Sequence, residues 1–285
     1  MSPLRQRMMD EMTLRGMSSR THESYLGAVY GLARYYKQSP DQLSIEQVRA
    51  YLLHLERERQ LSWSSLNVAA SGLRFLYFHT LGWEQTRMDI PPRKTPSRLP
   101  EVLSRDEVEQ LLMAVDHVKH RTVLMTIYAA GLRISEALQL RVRHIDSARM
   151  AIRVEQGKGK KDRYTILSPR LREEWRRYWK QFPTQELLFT GKHPDRPLSE
   201  SAIQKAYSRA NTRAGIRKRT SVHTLRHCFA THLLEMGVDI RTIQVLMGHT
   251  DLRTTARYLQ IRQHYIGACA SKFDWLALPP KLPGV

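Results

Sequence analysis

The C-terminal half of the chain is defined by residues 220–258, which read TSVHTLRHCFATHLLEMGVDIRTIQVLMGHTDLRTTARY. Its first apolar residues recur at helical spacing and share one helix face: Leu225, Phe229 and Leu233. Gly237 and Gly248 stand where a helix can end in a left-handed cap. The stretch therefore predicts successive helices separated by glycine-containing turns.

Polar residues in the same stretch are harder to explain by packing. His223 and Arg226 lie three residues apart, so they project from one side of a helix, one turn apart. His249 follows a predicted helix end, where an exposed imidazole can reach a ligand. Tyr258 comes nine residues later, and a lone tyrosine in a helix is usually a packing residue. A chemical role and a packing role both stay open for this tyrosine.

A second informative stretch is AAGLRISEAL at residues 129–138. Its apolar character predicts that a helical pattern continues to about Leu140. A buried guanidinium needs an acceptor, and Glu136, three residues after Arg133, could supply one. Arg133 therefore has two interpretations, a local salt bridge or a residue that binds an anion.

Between these stretches the pattern changes to short β-type runs at residues 151–155 and 163–167. The turn between them, GKGKKD at residues 157–162, predicts a β-hairpin. Ser168 and Pro169 then have the order of a helix N-cap followed by a first-turn proline. The segment as a whole is predicted to be mostly helical with a small antiparallel sheet.

The N-terminal segment is predicted to be a helical bundle. Ser44 and Gln47 have capping-box spacing, as do Ser104 and Glu107 at the start of the second segment. Apolar residues at helical spacing line one side of two helices: Tyr25, Val29, Leu32 and Tyr36 on the first, and Leu66, Ala69, Ala70, Leu73, Leu76 and Tyr77 on the second. The opposite side of the second helix carries polar residues suited to phosphates and base edges: Ser64, Asn67, Ser71 and Arg74. A plain solvent-facing surface is the alternative.

The sequence DIPPRKTPSRLP at residues 89–100 separates the two segments. Its prolines and polar residues cannot continue a helix, which predicts an interdomain linker. We expect an N-terminal domain at residues 1–88, a linker at 89–102 and a C-terminal domain at 103–285. One large domain with a long loop is the alternative.

Charge and composition limit the function. The 285 residues carry 46 Lys and Arg against 27 Asp and Glu, a formal net charge of +19, with 11 against 8 in residues 1–88 and 35 against 19 in the remainder. Such a surplus favours nucleic acid as the partner, with a solvated basic surface or anionic lipid as alternatives.

Hydrophobic residues make up 41% of the chain, which favours a globular protein. No run is long and apolar enough for a membrane span, and residues 1–10 do not resemble a secretory signal. Two cysteines make no disulfide framework, so we expect a reduced, cytoplasmic, nucleoid-associated protein.

Taken together, the motifs resemble the tyrosine recombinases, the phage integrase family of DNA breaking and rejoining enzymes. They occur in the family's order: GLRISEAL at residues 131–138, GKGKKDR at 157–163, HTLRH at 223–227, LMGHTDLRTT at 246–255, and Tyr258. The two-domain length is similar to the Xer and integron-integrase type. The resemblance covers most of the chain and implies a mainly α fold, with a SAM-like helical core-binding domain and a mostly helical catalytic domain that contains a small antiparallel sheet.

The resemblance also implies a mechanism. Arg133 and Arg226 would clamp the non-bridging oxygens of a phosphodiester, because paired guanidiniums suit that geometry. Tyr258 would attack the phosphorus and form a 3′-phosphotyrosyl link, which stores the bond energy so that rejoining needs no ATP. A phenol with an ordinary pKa of about 10 needs a proton acceptor, and His223 is that candidate.

The remaining catalytic roles fall on a lysine and a second histidine. Lys158 would protonate the departing 5′-oxygen, although Lys160 and Lys161 could substitute for it. His249 would donate a hydrogen bond to the scissile phosphate. No cofactor or metal is expected, since the nearby histidines lack zinc-ligand spacing: His223, His227 and His232.

Double-stranded DNA is the expected partner. A second set of candidate phosphate contacts precedes the active-site motif, with an ordinary solvated loop as the alternative: Arg213, Arg217, Lys218 and Arg219. In the family, a C-terminal segment docks on a neighbouring protomer within a tetramer on two duplexes, and Ile266, Ala268 and Ala270 suit such docking. Packing of this segment on its own domain is equally compatible with the sequence. A paralogous recombinase or an accessory protein is a further expected partner.

Two other functions compete with site-specific recombination. A non-catalytic DNA-binding regulator could use the helices around His223 as a helix-turn-helix. A type IB topoisomerase-like enzyme would use related chemistry without a partner site. A simple binding protein does not need Lys158 and Tyr258 together, so the sequence favours the recombinase.

Overall fold

The computed structural model describes residues 2–84, 101–155, 162–249, 251, 255, 256 and 258. The chain divides into two compact units, Met1–Ser97 and Arg98–Val285. Most of the predicted linker lies outside the described residues, and its bounds stay a prediction. In the described ranges, every helix is too short or too polar to cross a bilayer.

The first unit is a helical bundle, as predicted. It consists of α1 (Pro3–Leu14), α2 (Ser19–Tyr36), α3 (Ile45–Arg57) and α4 (Trp63–Arg74), and a π-helical turn at Phe75–Thr80 continues α4. The predicted capping box of α3 is present, with Ser44 and Gln47 each bonding the other's backbone N–H. Buried residues from all four helices form its core, including Met8, Leu32, Val48 and Leu73.

The second unit begins with α5 (Arg105–Met113), α6 (Val118–Ala130) and α7 (Ile134–Leu138). The predicted capping box of Ser104 and Glu107 starts α5. Helices continue to Leu138, close to the predicted limit of about Leu140, but they are interrupted at Gly131, and Arg133 does not lie within a helix as predicted. This glycine has φ +62° and ends α6, so Arg133 lies in extended backbone as the N-cap of α7.

Three short antiparallel strands follow, β1 (Ile145–Asp146), β2 (Ala151–Val154) and β3 (Arg163–Ile166), in the order β1-β2-β3. The two strands of the predicted hairpin pair as expected, with Val154 opposite Arg163. The third strand, β1, was not predicted. The Thr165 hydroxyl donates to the Ala130 carbonyl over 2.8 Å and so attaches β3 to the end of α6.

Four further helices follow the sheet: α8 (Pro169–Gln181), α9 (Glu200–Arg213), α10 (Val222–Glu235) and α11 (Ile240–Met247). Ser168 caps α8 as predicted. Gly248 ends α11 in the left-handed conformation, which confirms its predicted place. Helix α10 is buried along most of its length, including Arg226 and His232, whereas His223 in its first turn is exposed and His227 is half-buried.

A chain of polar contacts joins the start of the second unit to α10. The His232 ring contacts the Leu103 carbonyl through Nε2 at 3.0 Å and the Tyr128 hydroxyl through Nδ1 at 2.9 Å. The backbone N–H of Leu103 donates to the Cys228 sulfur over 3.3 Å. These contacts attach the first residues after the linker to the helix that carries His223 and Arg226.

The turn at Gly131 generates a stability prediction. A Cβ added there would lie 2.3 Å from a ring carbon of Phe229, whereas at Gly215, with φ +67°, nothing lies within 4 Å. Both alanine variants incur about 1–2 kcal/mol for the left-handed backbone. Gly131→Ala loses roughly a further 1–3 kcal/mol from the clash. Urea unfolding of the two variants measures the difference, and equal losses would show that the turn is not tightly packed.

Candidate active site

The candidate active site is organised around one buried carboxylate. Glu136 lies in the first turn of α7 with its side chain 7% exposed. It accepts hydrogen bonds from the backbone N–H of Arg133 at 2.8 Å and from Nη1 of the same residue at 2.5 Å. The predicted local salt bridge of Arg133 is thus present. Since the Arg133 side chain is 23% exposed, it also remains accessible to a ligand.

Two further guanidiniums approach the same carboxylate. Arg163 at the start of β3 donates from Nη1 and Nη2 to its two oxygens at 2.9 and 2.8 Å. Nη1 of Arg226 lies 3.5 Å from Oε2 of Glu136. Burial raises the pKa of Glu136, but hydrogen bonds and charge from Arg163, with smaller effects of Arg133 and Arg226, outweigh it and lower this pKa to about 2.

Arg226 is the most deeply buried charged residue of the site, with its side chain 1% exposed. It donates to the Gly131 carbonyl at 2.5 Å and to the Met247 carbonyl. Burial, followed by the charge of Arg133, lowers its pKa to about 9, so it stays cationic at neutral pH. Arg226 thereby joins the turn before α7 to the end of α11.

Tyr258 packs in the apolar cluster of α10 and α11 and is 3% exposed. Its hydroxyl oxygen lies 2.8 Å from Nδ1 of His227. His223, the predicted proton acceptor, packs edge-on against His227 with ring centroids 4.6 Å apart. Sequence reasoning missed the contact of His227 with the phenol, although its position next to Arg226 on α10 was a usable signal.

His249 follows the glycine that ends α11. Its Nδ1 lies 2.9 Å from the Thr255 hydroxyl, and its carbonyl accepts from the Gln244 side chain at 3.0 Å. The ring is stacked near Tyr258, with centroids 6.5 Å apart. The structure thus brings His249 and Tyr258 together.

The surroundings of both predicted histidines favour the neutral imidazole, because the pKa of each is lowered. Burial, followed by the charges of Arg226 and Arg133, lowers the pKa of His223. The same causes, in the same order, lower the pKa of His249 to about 4. A neutral imidazole can accept a proton at one nitrogen and donate a hydrogen bond from the other.

Lys158, Lys160 and Lys161 lie outside the described residues, as does the C-terminal segment with Ile266, Ala268 and Ala270. Within the described ranges, no group of three or more His, Cys, Asp and Glu side chains could hold a metal ion.

The predicted DNA-contact residues lie at two places. On α4, Ser64 and Asn67 are exposed, and Ser71 and Arg74 are half-buried. In the second unit, two of the four basic residues are paired internally, Arg213 with Asp116, and Lys218 with Glu107 at 2.6 Å. The other two, Arg217 and Arg219, are exposed in the loop before α10.

Comparison with known proteins gives matches over both units. Residues 101–264 match the phage integrase family, and residues 4–87 match the N-terminal SAM-like domain of phage integrases. The chain is 44% identical over 284 residues to y4qK of Sinorhizobium fredii, whose name describes an integrase/recombinase; the match covers 99% of this chain and 92% of the relative. It is 34% identical over 266 residues to the tyrosine recombinase XerA of Thermococcus onnurineus, and this match covers 92% of both this chain and the relative.

Solved structures share the fold. The Tn1549 transposon integrase in complex with transposon right end DNA aligns with a TM-score of 0.72 at 17% identity, over 96% of this chain and 99% of that one. The XerH site-specific recombinase bound to its difH substrate, in a pre-cleavage complex, aligns with a TM-score of 0.61 at 24% identity, over 85% of this chain and 74% of that one.

Fold and relatives together define the class as the site-specific recombinases, enzymes that break and rejoin DNA strands. The chain belongs to the phage integrase family, the tyrosine recombinases.

The shared carboxylate generates a prediction of pH-dependent stability. Glu136→Gln leaves three guanidiniums without their counter-ion, so we expect a loss of about 3–5 kcal/mol in unfolding free energy at neutral pH. A depressed carboxyl pKa stabilises the fold above its ordinary value of 4.5, and this contribution is lost as the pH falls towards about 2. The difference between wild type and variant should therefore narrow below a pH of about 4.5.

Urea unfolding at several pH values measures this difference, with Glu173→Gln on the exposed face of α8 as the matched control. A gap between wild type and Glu136→Gln that stays constant at acidic pH would contradict the assigned charge state.

Proposed function

We propose that one phosphodiester of a DNA duplex binds between Arg133 and Arg226 and is attacked by Tyr258. The observation that supports this most strongly is the convergence of these distant arginines on the Glu136 carboxylate, with oxygens 2.5 and 3.5 Å from their nitrogens. A carboxylate that fixes two guanidiniums preorganises them for the charge that develops on the phosphate oxygens.

In the proposed reaction, the Tyr258 oxygen forms a bond to phosphorus as the bond to the 5′-oxygen breaks. His223 takes the phenolic proton, and Lys158 gives a proton to the departing 5′-oxygen. The product is a 3′-phosphotyrosyl link and a free 5′-hydroxyl. Attack by a 5′-hydroxyl of a partner strand reverses these steps, so the number of phosphoester bonds is conserved and no ATP is consumed.

Further roles fall on His227 and His249. The neutral His249 would donate a hydrogen bond to a non-bridging oxygen. His227 would hold the phenol until DNA is bound, because its ring nitrogen lies 2.8 Å from the Tyr258 oxygen. His223 would then act once the phosphate has drawn Tyr258 towards the arginines.

We assign residues 1–88 to a core-binding domain and residues 103–285 to a catalytic domain, joined by a linker at 89–102. Double-stranded DNA is the proposed partner, in keeping with the DNA-bound recombinases of this fold. The proposed assembly is a tetramer on two duplexes, with the C-terminal segment docked between protomers. A paralogous recombinase or an accessory protein would extend this assembly, and the proposed location is the cytoplasm, at the nucleoid.

The polar residues of α4 would meet base edges and phosphates, and the basic loop before α10 would follow the backbone. Arg217 and Arg219 are exposed and suit this role directly. Arg213 and Lys218 would first exchange Asp116 and Glu107 for phosphate. Such an exchange is feasible because exposed ion pairs are weak, about 0–1 kcal/mol.

Covalent trapping tests the nucleophile and the base. Wild-type chain is incubated with a pool of nicked duplexes that have a randomised central segment, and DNA linked to protein is isolated and sequenced. We expect adduct from wild type and none from Tyr258→Phe, which keeps the ring but has no hydroxyl. Equal adduct from both would refute the assignment of the nucleophile.

The same assay separates the two histidines on α10. With the enriched duplex, His223→Gln should slow adduct formation by about 10²–10⁴-fold, the usual contribution of a general base. We expect His227→Gln to remain within about tenfold of wild type, since holding the phenol contributes less than proton transfer. The reverse order would assign the base to His227.

Salt dependence tests the proposed backbone contacts. Affinity for the enriched duplex should fall linearly on logarithmic axes as salt rises, with each phosphate contact contributing about 0.9 to the slope. Replacing both Arg217 and Arg219 by alanine should therefore lower the slope by about 2. Fluorescence anisotropy measures the slope, with Arg176→Ala on exposed α8 as the control. An unchanged slope in the double variant would remove this loop from the interface.

A further inference from the structure

Arg163 is buried and bonded in a way that the proposed chemistry does not use. Its side chain is 8% exposed, and all three of its guanidinium nitrogens have partners on other elements of the fold. We propose that Arg163 is a positioning residue for DNA cleavage, which neutralises Glu136 and joins the β2–β3 hairpin to the turn that presents His249. This inference rests on the proposed function, since it concerns the same phosphate site.

Arg163 first compensates the charge of Glu136. Arg163 donates to both oxygens of Glu136, which is the geometry of a strong bidentate pair. A buried carboxylate must be paired, because an uncompensated charge in the interior is costly. Without Arg163, the negative charge of Glu136 would be neutralised mainly by Arg133 and Arg226, which would pair with it more closely. Those two guanidiniums would then be less available to a phosphate.

Arg163 also binds the end of α11. Nε of Arg163 donates to the Leu246 carbonyl over 3.0 Å, and Arg226 donates to the neighbouring Met247 carbonyl. The last carbonyls of a helix lack partners within it and favour cations. A Cβ on Gly248 would lie 2.6 Å from Cδ of Arg163, so the arginine stem packs directly on the turn before His249.

The β2–β3 hairpin is the third element that Arg163 anchors. Arg163 begins β3 and pairs with Val154 at the end of β2, so it stands at the base of the loop that contains Lys158. A side chain that anchors this base to Glu136 fixes where the loop leaves the sheet. One guanidinium thereby anchors three features: the strand that leads from the loop of the proposed general acid, the carboxylate that holds the proposed phosphate clamp, and the turn before His249.

If Arg163 only stabilised the fold, its loss would lower the unfolding free energy and would reduce DNA binding and DNA cleavage to the same extent. A positioning role predicts that DNA binding is retained while cleavage slows, because a misplacement of about 1 Å can reduce a rate by about 10²-fold. It also predicts that neutralising Glu136 makes the loss of Arg163 less harmful.

The test uses the full chain and the enriched nicked duplex of the trapping experiment. Arg163→Met keeps the aliphatic stem without charge, and Arg163→Lys keeps the charge without the bidentate geometry. We expect adduct formation about 10²-fold slower for Met and less affected for Lys, with affinity for the duplex within about threefold of wild type. Arg176→Met is the matched control, because this exposed arginine on α8 pairs with Glu173 at 3.7 Å and should leave the rate unchanged.

The double variant Glu136→Gln with Arg163→Met completes a double-mutant cycle. It also provides a second test if Arg163→Met alone folds poorly. We expect it to cleave at least as fast as Arg163→Met, since the uncompensated carboxylate is gone. A duplex with sulfur in place of the bridging 5′-oxygen adds a second readout, because a thiolate departs without a proton. Partial rescue of Arg163→Lys by this duplex is expected if the lysine loop has lost its position.

Several outcomes overturn the inference. Cleavage by Arg163→Met within about threefold of wild type would do so, as would equal losses in binding and cleavage. If the losses of cleavage rate in the two single variants simply add in the double variant, neutralisation of Glu136 is not the role of Arg163. Failure of the proposed function is distinguishable, since wild type itself would then give no adduct that depends on Tyr258.

Discussion

The site depends on one electrostatic constraint: a single buried carboxylate is surrounded by more positive charge than it can neutralise. Glu136 fixes the guanidiniums of Arg133, Arg163 and Arg226, which come from three different parts of the second unit. One negative charge among three positive ones leaves a local surplus of two. In the proposed function a phosphodiester would supply negative charge at this place, so the charges of the site would be better balanced with DNA bound.

This surplus also determines the state of the surrounding acids and bases. The arginines disfavour a second proton on His223 and His249, and burial acts in the same direction. The neutral imidazole is thereby favoured, and this is the form that the proposed proton transfer from a phenol and the proposed hydrogen bond to a phosphate oxygen both need. The arginines proposed to clamp a phosphate thus also favour the unprotonated form of the proposed base.

Much of the fold could be predicted from the sequence because its signals are local. The caps at Ser44, Ser104 and Ser168 depend on residues at most three positions away, and each one is present. The hairpin strands followed from a visible change of periodicity. The break at Gly131 was missed because an apolar run concealed it, and β1 was missed because two residues carry no periodicity.

The sequence predicted which residue types form the site, but not which of their side chains contact one another. The motifs identified the arginines, histidines and tyrosine, yet the roles assigned to them remain proposals. Arg163 binds a carboxylate 27 positions away, and Lys218 binds one 111 positions away. No spacing rule predicts such pairs, because they exist only after the helices and strands have packed. The contact of His227 with Tyr258 is of the same kind.

The contacts of His232 give the imidazole a fixed direction. A carbonyl oxygen can only accept, so the hydrogen of the neutral ring must be on Nε2, facing Leu103, and Nδ1 must receive the Tyr128 hydroxyl. The three groups form a one-way series of hydrogen bonds that runs from Tyr128 on α6 through His232 on α10 to the main chain at Leu103. The residues that open the second unit are thereby held against α10, the helix that also carries His223 and Arg226.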